Sequence, residues 1–133
     1  MNTETIIEND YATLWYHPDS KIVHHKWHKF IHGERFREIL ETGLTIFQER
    51  GANKWLSDDR NNSALPAADA EWGITNWNPR VVAAGWQYWA IVMPDKAVGK
   101  MNMQRFIDLY AEQGLTIDIF DDANDALAWL ESV

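Results

Sequence analysis

Lys54-Trp55-Leu56-Ser57-Asp58-Asp59-Arg60-Asn61-Asn62-Ser63 is a short apolar run that turns abruptly into a dense polar cluster. The run, Lys54 to Ser57, reads as a buried strand. A strand that ends in an acid pair, an arginine, two amides and a hydroxyl presents polar groups at a sheet edge, and in open α/β sheets that edge is where ligands and partners sit. Upstream, Phe36, Ile39, Leu40, Leu44 and Phe47 fall on one stripe at helical spacing. Gly43 lies in the same stripe and lets that helix approach a sheet closely. Arg50 and Gly51 close it with a cation in the last turn and a glycine at C′. Downstream, Pro66 suits the first turn of a helix carrying Trp72. Pro79 disfavours helix at Asn78. The helix is therefore expected to stop near Trp77, with Asn78-Pro79 opening a second, short helix over Arg80 to Ala84 that Gly85 ends.

The remaining segments complete an alternation. Residues 1–5 are polar and expected to be frayed or disordered. Tyr11 to Tyr16 is rich in β-formers, His17-Pro18-Asp19-Ser20 has turn chemistry, and an extended pattern resumes at Lys21 and runs to about Phe30. The pair reads as an antiparallel hairpin. Trp89-Ala90-Ile91-Val92-Met93, within Trp86 to Met93, is an uninterrupted apolar run that fits a strand covered on both faces. Met103, Phe106, Ile107 and Tyr110 mark a helix closed by Gly114. Leu115, Ile117 and Ile119 alternate as a strand, and Asp121-Asp122 cap a final helix carrying Leu127 and Leu130. The order β-β-α-β-α-β-α-β-α predicts a single layered α/β domain over residues 1–133. Its sheet is expected to be five-stranded and mostly parallel, with an antiparallel N-terminal strand.

Composition narrows the function classes. The net charge of −8 repels phosphate backbones and anionic headgroups, and no basic run offsets it, which argues against nucleic acid. The chain has no cysteine, so disulfides, thiolate catalysis and cysteine-ligated metals are excluded. No apolar run has the length of a membrane span. The N-terminus is unlike a signal peptide, and a cytoplasmic location is expected. Eight tryptophans are more than one small core needs. Some are expected to line a groove or an interface, a homodimer surface among them.

The pattern resembles the STAS-like superfamily, which includes bacterial anti-sigma-factor antagonists, and more narrowly the small bacterial "STAS/SEC14 domain-containing" proteins. The resemblance runs from Val23 through Phe36, with Trp27, Phe30 and Gly33, and on through Gly51-Ala52-Asn53-Lys54-Trp55-Leu56-Ser57-Asp58-Asp59-Arg60. It continues with Glu71-Trp72, Pro79-Arg80, Ala83-Ala84-Gly85-Trp86 and Phe120-Asp121-Asp122. It implies a five-stranded sheet flanked by helices and a protein-binding or small-ligand-binding role rather than chemistry. In the antagonists a serine after the middle strand, in an Asp-Ser-Ser-Gly-like turn, is phosphorylated to switch partner binding. Here Asp58 to Ser63 has no serine directly after the first aspartate and no glycine. Ser63 is a displaced candidate, and two nearby carboxylates oppose a phosphate.

Each constellation has a bland reading beside a sharp one. Arg60 can pair with a neighbouring acid while Asn61 and Asn62 make turn hydrogen bonds; equally, Asp58, Asp59, Arg60, Asn61 and Ser63 can hold a ligand or a partner's charges. Adjacent residues on an extended chain face opposite ways, so Asp58 and Asp59 should not converge on one atom as an acid/base pair would. The histidines, His17, His24, His25, His28 and His32, fall within sixteen residues. On a strand His24 and His28 share a face roughly 13 Å apart, too far to chelate one ion, and His25 points the other way. A solvated strand face with a histidine-rich loop is the expectation there. Trp72 and Trp77 are five apart and diverge by about 140° on a helix. With Trp86, Trp89 and Tyr88 they either pack the helices on the sheet or wall an aromatic pocket or a homodimer surface, and because one of the two should face away from the core, Trp72 and Trp77 are the pair to watch. Pro94 to Lys100 reads as a polar loop beside the Asp58 loop and lacks the spacing of a phosphate-binding loop. A phosphate-receiver arrangement would need acids after the first parallel strand. No Gly-x-Ser-x-Gly elbow and no Gly-x-Gly-x-x-Gly occurs.

The sequence thus points to a non-enzymatic regulatory or binding module that docks a protein partner or small ligand at the loop after the middle strand. Asp58, Asp59, Arg60, Asn61, Ser63, Trp72 and Trp77 are its candidate site, with no catalytic residue, metal ligand or cofactor assigned. The alternative is a carrier of an apolar or lipid-like molecule in a tryptophan-lined pocket.

Overall fold

The computed structural model describes residues 2–133. Six strands form one sheet in chain order: β1 (Glu4–Glu8), β2 (Ala12–His17), β3 (Ile22–Trp27), β4 (Lys54–Asp58), β5 (Tyr88–Val92) and β6 (Thr116–Phe120). β1 and β3 both pair antiparallel with β2, and β3 to β6 are parallel. The helices are α1 (Gly33–Arg50), α2 (Ala67–Trp72), α3 (Asn78–Ala83), α4 (Ala97–Ala111) and α5 (Ala123–Ser132), with a π-helical turn, Gly73–Trp77, joining α2 to α3.

Strand order dictates where the helices lie. Parallel neighbours joined in one direction by crossovers of one hand put every connecting helix on the same face. One core accordingly gathers Phe36 and Leu40 of α1, Trp77 and Val81 of the α2–α3 unit, and Phe106 and Tyr110 of α4. These pack on Leu14, Val23, Trp55, Trp89 and Ile91 of the sheet. The opposite face carries a smaller core, in which Ala126 and Leu130 of α5 cover Ile22, Leu56, Ala90 and Val92. Period-two alternation sorts the residues: Trp55 and Ser57 face the first core, Leu56 and Asp58 the second. Gly43 brings α1 against the sheet, because a Cβ there would lie within 2.6 Å of Trp55 Cζ3. Gly51 takes the left-handed conformation (φ 71°) that closes α1.

Several expectations are corrected. Residues 1–5 are not frayed throughout, because Glu4 and Thr5 belong to β1, opposite Tyr16 and Trp15; Met1 lies outside the described residues. The Glu4 carboxylate also accepts hydrogen bonds from both terminal guanidinium nitrogens of Arg50, at 2.7 and 2.9 Å. The sheet therefore has six strands, not five. β3 ends at Trp27 rather than near Phe30. Pro66 stands one residue ahead of α2, as its N-cap. The helix does not stop at Trp77: Asn78 keeps helical angles (φ −58°, ψ −46°), and its N–H donates to the Gly73 carbonyl, five residues back. This wide turn lies just ahead of Pro79, where an ordinary α-turn would drive the pyrrolidine ring into the carbonyl four residues back. Pro94 to Lys100 is a loop only to Lys96, after which α4 begins.

Candidate functional site

β3 and β4 are parallel neighbours, and His25 lies opposite Ser57 near their C-terminal ends. Val23, His25 and Trp27 alternate onto the larger core, so His25 is buried; a solvated histidine face is not what forms here. The Trp55 indole N–H donates to His25 Nδ1 at 2.9 Å. An indole nitrogen is a donor only. Nδ1 must therefore be unprotonated, the imidazole is neutral, and its Nε2–H donates to Asp59 Oδ1 at 2.7 Å. The contact is a hydrogen bond, not an ion pair. The His25 ring also stacks on Trp27, with centroids 4.1 Å apart. Trp89 Nε1 donates to Ser57 Oγ at 2.9 Å. Both imidazole nitrogens are committed, so neither can take a proton from Ser57 as a serine-histidine-aspartate relay requires. Asp59 is 2 % exposed. Its second oxygen, Oδ2, is buried with no hydrogen-bond partner. Such orphans are rare in folded proteins, and each calls for an explanation.

Above this polar floor lies a cavity of about 70 Å³, several times the roughly 10–15 Å³ that one water needs. Trp27, Trp55, Trp77, Trp86 and Trp89 wall it, which uses five of the eight tryptophans. Phe36, Leu40, Met103, Phe106 and Tyr110 close it from the helices. Burial pushes the Tyr110 hydroxyl well above its ordinary pKa, so it stays neutral. Ser63, Leu65, Pro94 and Gly99 lie at the loops that bound it. A Cβ on Gly99 would sit 2.7 Å from Pro94 Cβ and 3.4 Å from Ser63 Cα, so the first turn of α4 abuts both loops.

The loop after β4 divides between the two faces. Asp58 and Asp59 diverge, as adjacent residues of an extended chain do. Asp58 accepts Arg60 Nε at 2.9 Å and a terminal guanidinium nitrogen at 2.8 Å. Burial raises the Asp58 pKa, but the Arg60 hydrogen bonds and charge outweigh it and hold the carboxyl below its ordinary range. Arg60 lines a separate cleft with Asp95, Lys100 and Asp121. Asn61 Nδ2 donates to the Trp27 carbonyl at 3.2 Å, and Asn62 Oδ1 accepts the Ile31 N–H at 3.2 Å. These two amides tie the loop to the segment before α1. Trp77 is in the cavity wall and donates its indole N–H to the Leu40 carbonyl at 2.8 Å. Trp72 is half-buried outside the cavity, edge-on to Phe36, with the Arg37 guanidinium 5.2 Å from its ring. Of the seven residues singled out from the sequence, Asp59, Ser63 and Trp77 meet at the cavity. Asp58, Arg60, Asn61 and Trp72 do not.

His25, Ser57, Trp55 and Trp89 carry the floor. Trp89 belongs to the tryptophan group that the sequence offers for an aromatic-walled pocket, while His25, Ser57 and Trp55 were not among the candidate site residues. Val23 and Trp27 flank His25 at period two, and that spacing alone would have placed it on an apolar face. The other histidines lie apart: His17 Nε2 and His24 Nδ1 are 3.2 Å from each other on the opposite face, and His28 bonds Thr13 Oγ1 at 2.7 Å. Among the described residues no three histidine, aspartate or glutamate side chains come together as a metal site, and no helix is long and apolar enough to cross a membrane. Compared with protein-family models, with curated proteins and with solved structures, the chain has no match.

Proposed function

We propose that this protein is a non-enzymatic binding module that holds a small, largely apolar ligand in the tryptophan-walled cavity beside the loop after β4. The carrying observation is the conjunction of that cavity with the unpartnered, buried Asp59 Oδ2. Concave, mostly apolar sites with a few fixed polar groups are the usual form of small-ligand pockets. The STAS-like resemblance supports a binding role over chemistry, and a serine–histidine–aspartate relay would need an imidazole nitrogen that His25 does not have free. Gly73 provides the test. It lines the cavity in a helical conformation (φ −60°), and a Cβ there meets nothing nearer than the Tyr110 hydroxyl at 4.0 Å. Gly73→Leu should fill the cavity without disturbing the fold. Native mass spectrometry of the purified protein is expected to show a small-molecule adduct that Gly73→Leu lacks. An adduct of equal abundance in both forms would place the ligand elsewhere and sink the proposal.

A second reading is docking of a protein partner, or of a second copy, over the cavity mouth. Val98 and Met101 support it: they are 53 % and 74 % exposed on the first turns of α4, next in sequence to cavity-lining Gly99 and Asn102. Met101→Glu should then abolish partner capture, or self-association in light scattering, while leaving the adduct in place. Capture or association unchanged by Met101→Glu would remove this reading.

A further inference from the structure

We infer that the ligand is a small organic cation carrying an N–H donor, held by Asp59 and faced by the indole rings. The inference rests on the cavity reading above and names the chemistry of the occupant.

The charge around Asp59 is unbalanced. His25 is neutral because Trp55 occupies its Nδ1, so it contributes a hydrogen bond and no charge. No lysine or arginine lines the cavity among the described residues. Arg60, next to Asp59 in sequence, is turned to Asp58, and Arg37 is bonded to Asp69 at 3.1 Å. Asp69 lines the cavity too, but its oxygens accept Arg37 Nε and the Gly33 N–H. Of the two carboxylates that line the cavity, Asp59 is the one that keeps a buried oxygen with nothing to accept. A buried carboxylate without a partner is strongly disfavoured. What would relieve it is a donor that also brings positive charge.

The walls select the same sign. Indole faces are electron-rich and attract ammonium and guanidinium groups, most of all where water is excluded. Trp27, Trp55, Trp77, Trp86 and Trp89 line the same cavity as Asp59. An anion would meet Asp59 and these faces and be repelled by both. A neutral hydrocarbon would fit the walls and leave Oδ2 unanswered. The net charge of −8 adds a long-range attraction for cations. The cavity volume limits the occupant to a compact amine, with a body no larger than a ring or short branched chain.

Three probes of one shape separate the terms: benzylammonium, benzyl alcohol and toluene, titrated at pH 7 by calorimetry and tryptophan fluorescence. Benzylammonium is expected to bind at least tenfold more tightly than the other two. Asp59→Asn should erase that preference and leave benzyl alcohol binding within about threefold, because an asparagine oxygen can still accept His25 Nε2–H. Gly73→Leu should block all three, which separates the cavity from general attraction to an acidic surface. If the probes bind within twofold of one another, or if the preference survives in Asp59→Asn, the cation inference falls and the cavity reading stands. If none binds the unaltered protein, both fall. The ranking in the unaltered protein decides the matter even if a variant fails to fold.

Discussion

On the α5 side of the sheet, Ile22, Leu56, Ala90 and Val92 meet Ala126 and Leu130, all at 1 % exposure or less, and Asp58, a carboxylate buried on that side, is closed by Arg60. On the other side, aromatic rings meet at 5–6 Å spacings such as Trp55 to Trp77 (5.3 Å) and Trp86 to Trp89 (5.3 Å), a space is left between them, and Asp59 keeps a free oxygen. The two carboxylates are adjacent in sequence and share a strand end. Their difference comes from period-two alternation alone, which hands one to an aliphatic, fully satisfied layer and the other to an open aromatic one. A layer that forgoes packing and leaves a polar atom unanswered gives up stability, and proteins do this chiefly where a site requires it.

The largest effects should come from Trp55 and Leu56, neighbours buried on opposite faces at 1 % and 0 % exposure. Trp55→Ala is expected to cost about 3–5 kcal/mol and Leu56→Ala about 2–5 kcal/mol in urea denaturation, the usual range for such truncations. The costs are similar and the consequences for binding are not. Trp55→Ala removes a cavity wall and the donor that holds His25 in its neutral form, so affinity for benzylammonium should be lost. Leu56→Ala should retain it. Equal losses of affinity would mean that the two faces are not independent.

Asp58 and Asp59 should respond with opposite signs. Asp58→Asn breaks charge-assisted bonds to Arg60 and is expected to destabilise by about 1–2 kcal/mol, low in the range for bonds to charged groups because Arg60 is partly exposed. Asp59→Asn removes an uncompensated charge while keeping an acceptor for His25, and should leave the ligand-free protein as stable or more so. Acid titration sharpens the pair. The Asp58 carboxyl lies below its ordinary value of 3.8 when folded. Its contribution is therefore fully present above that value and is lost as pH falls through the folded pKa. The urea midpoint of Asp58→Asn should lack that loss. A destabilised Asp59→Asn, or an unchanged acid limb in Asp58→Asn, would contradict the assignment of roles.

The parts of the molecule legible in the sequence are those set by local pattern. The stripe from Phe36 to Phe47, the close approach at Gly43, the left-handed Gly51 and the apolar run of β5 each follow from a few neighbouring residues. Asp122 capping α5 through the Asn124 N–H at 2.6 Å is of the same kind. β1 was hidden because Glu4–Glu8 is short, lacks period-two alternation at Ile6-Ile7, and gains its place by pairing with β2 and through Arg50, which is distant in sequence. The Pro79 rule anticipated a break, but a single wide turn removes the clash at less cost than unwinding a helix that packs Trp77 and Val81 into the core. The cavity floor was hidden for the same reason as β1. His25, Ser57 and Asp59 come together only through the register of β3 on β4, 32 residues apart for His25 and Ser57, and no short-range pattern encodes that pairing.

The smallest effect concerns a second adjacent pair, His24 and His25. His25 has both nitrogens bonded in the larger core. His24 lies on the α5 side, half-buried against Trp15 (centroids 4.5 Å) and within 3.2 Å of His17. Burial, then the neighbouring His17 and His25, pushes the His24 pKa down to about 3, while Asp58 opposes this weakly. Below pH 6.5 the unfolded chain takes up a proton at this position that the folded protein refuses, so the contribution of neutral His24 is present above pH 6.5 and is lost as pH falls toward 3. The urea midpoint of the unaltered protein should therefore decline between pH 7 and pH 4, before Asp58 begins to titrate, and the decline should be shallower in His24→Gln. The change is modest because a small rotation brings the half-buried ring to water, and because His17, also depressed by burial, adds a slope of its own. Parallel declines in the two proteins would place the pH sensitivity at His17 alone and leave His24 a packing residue beside Trp15.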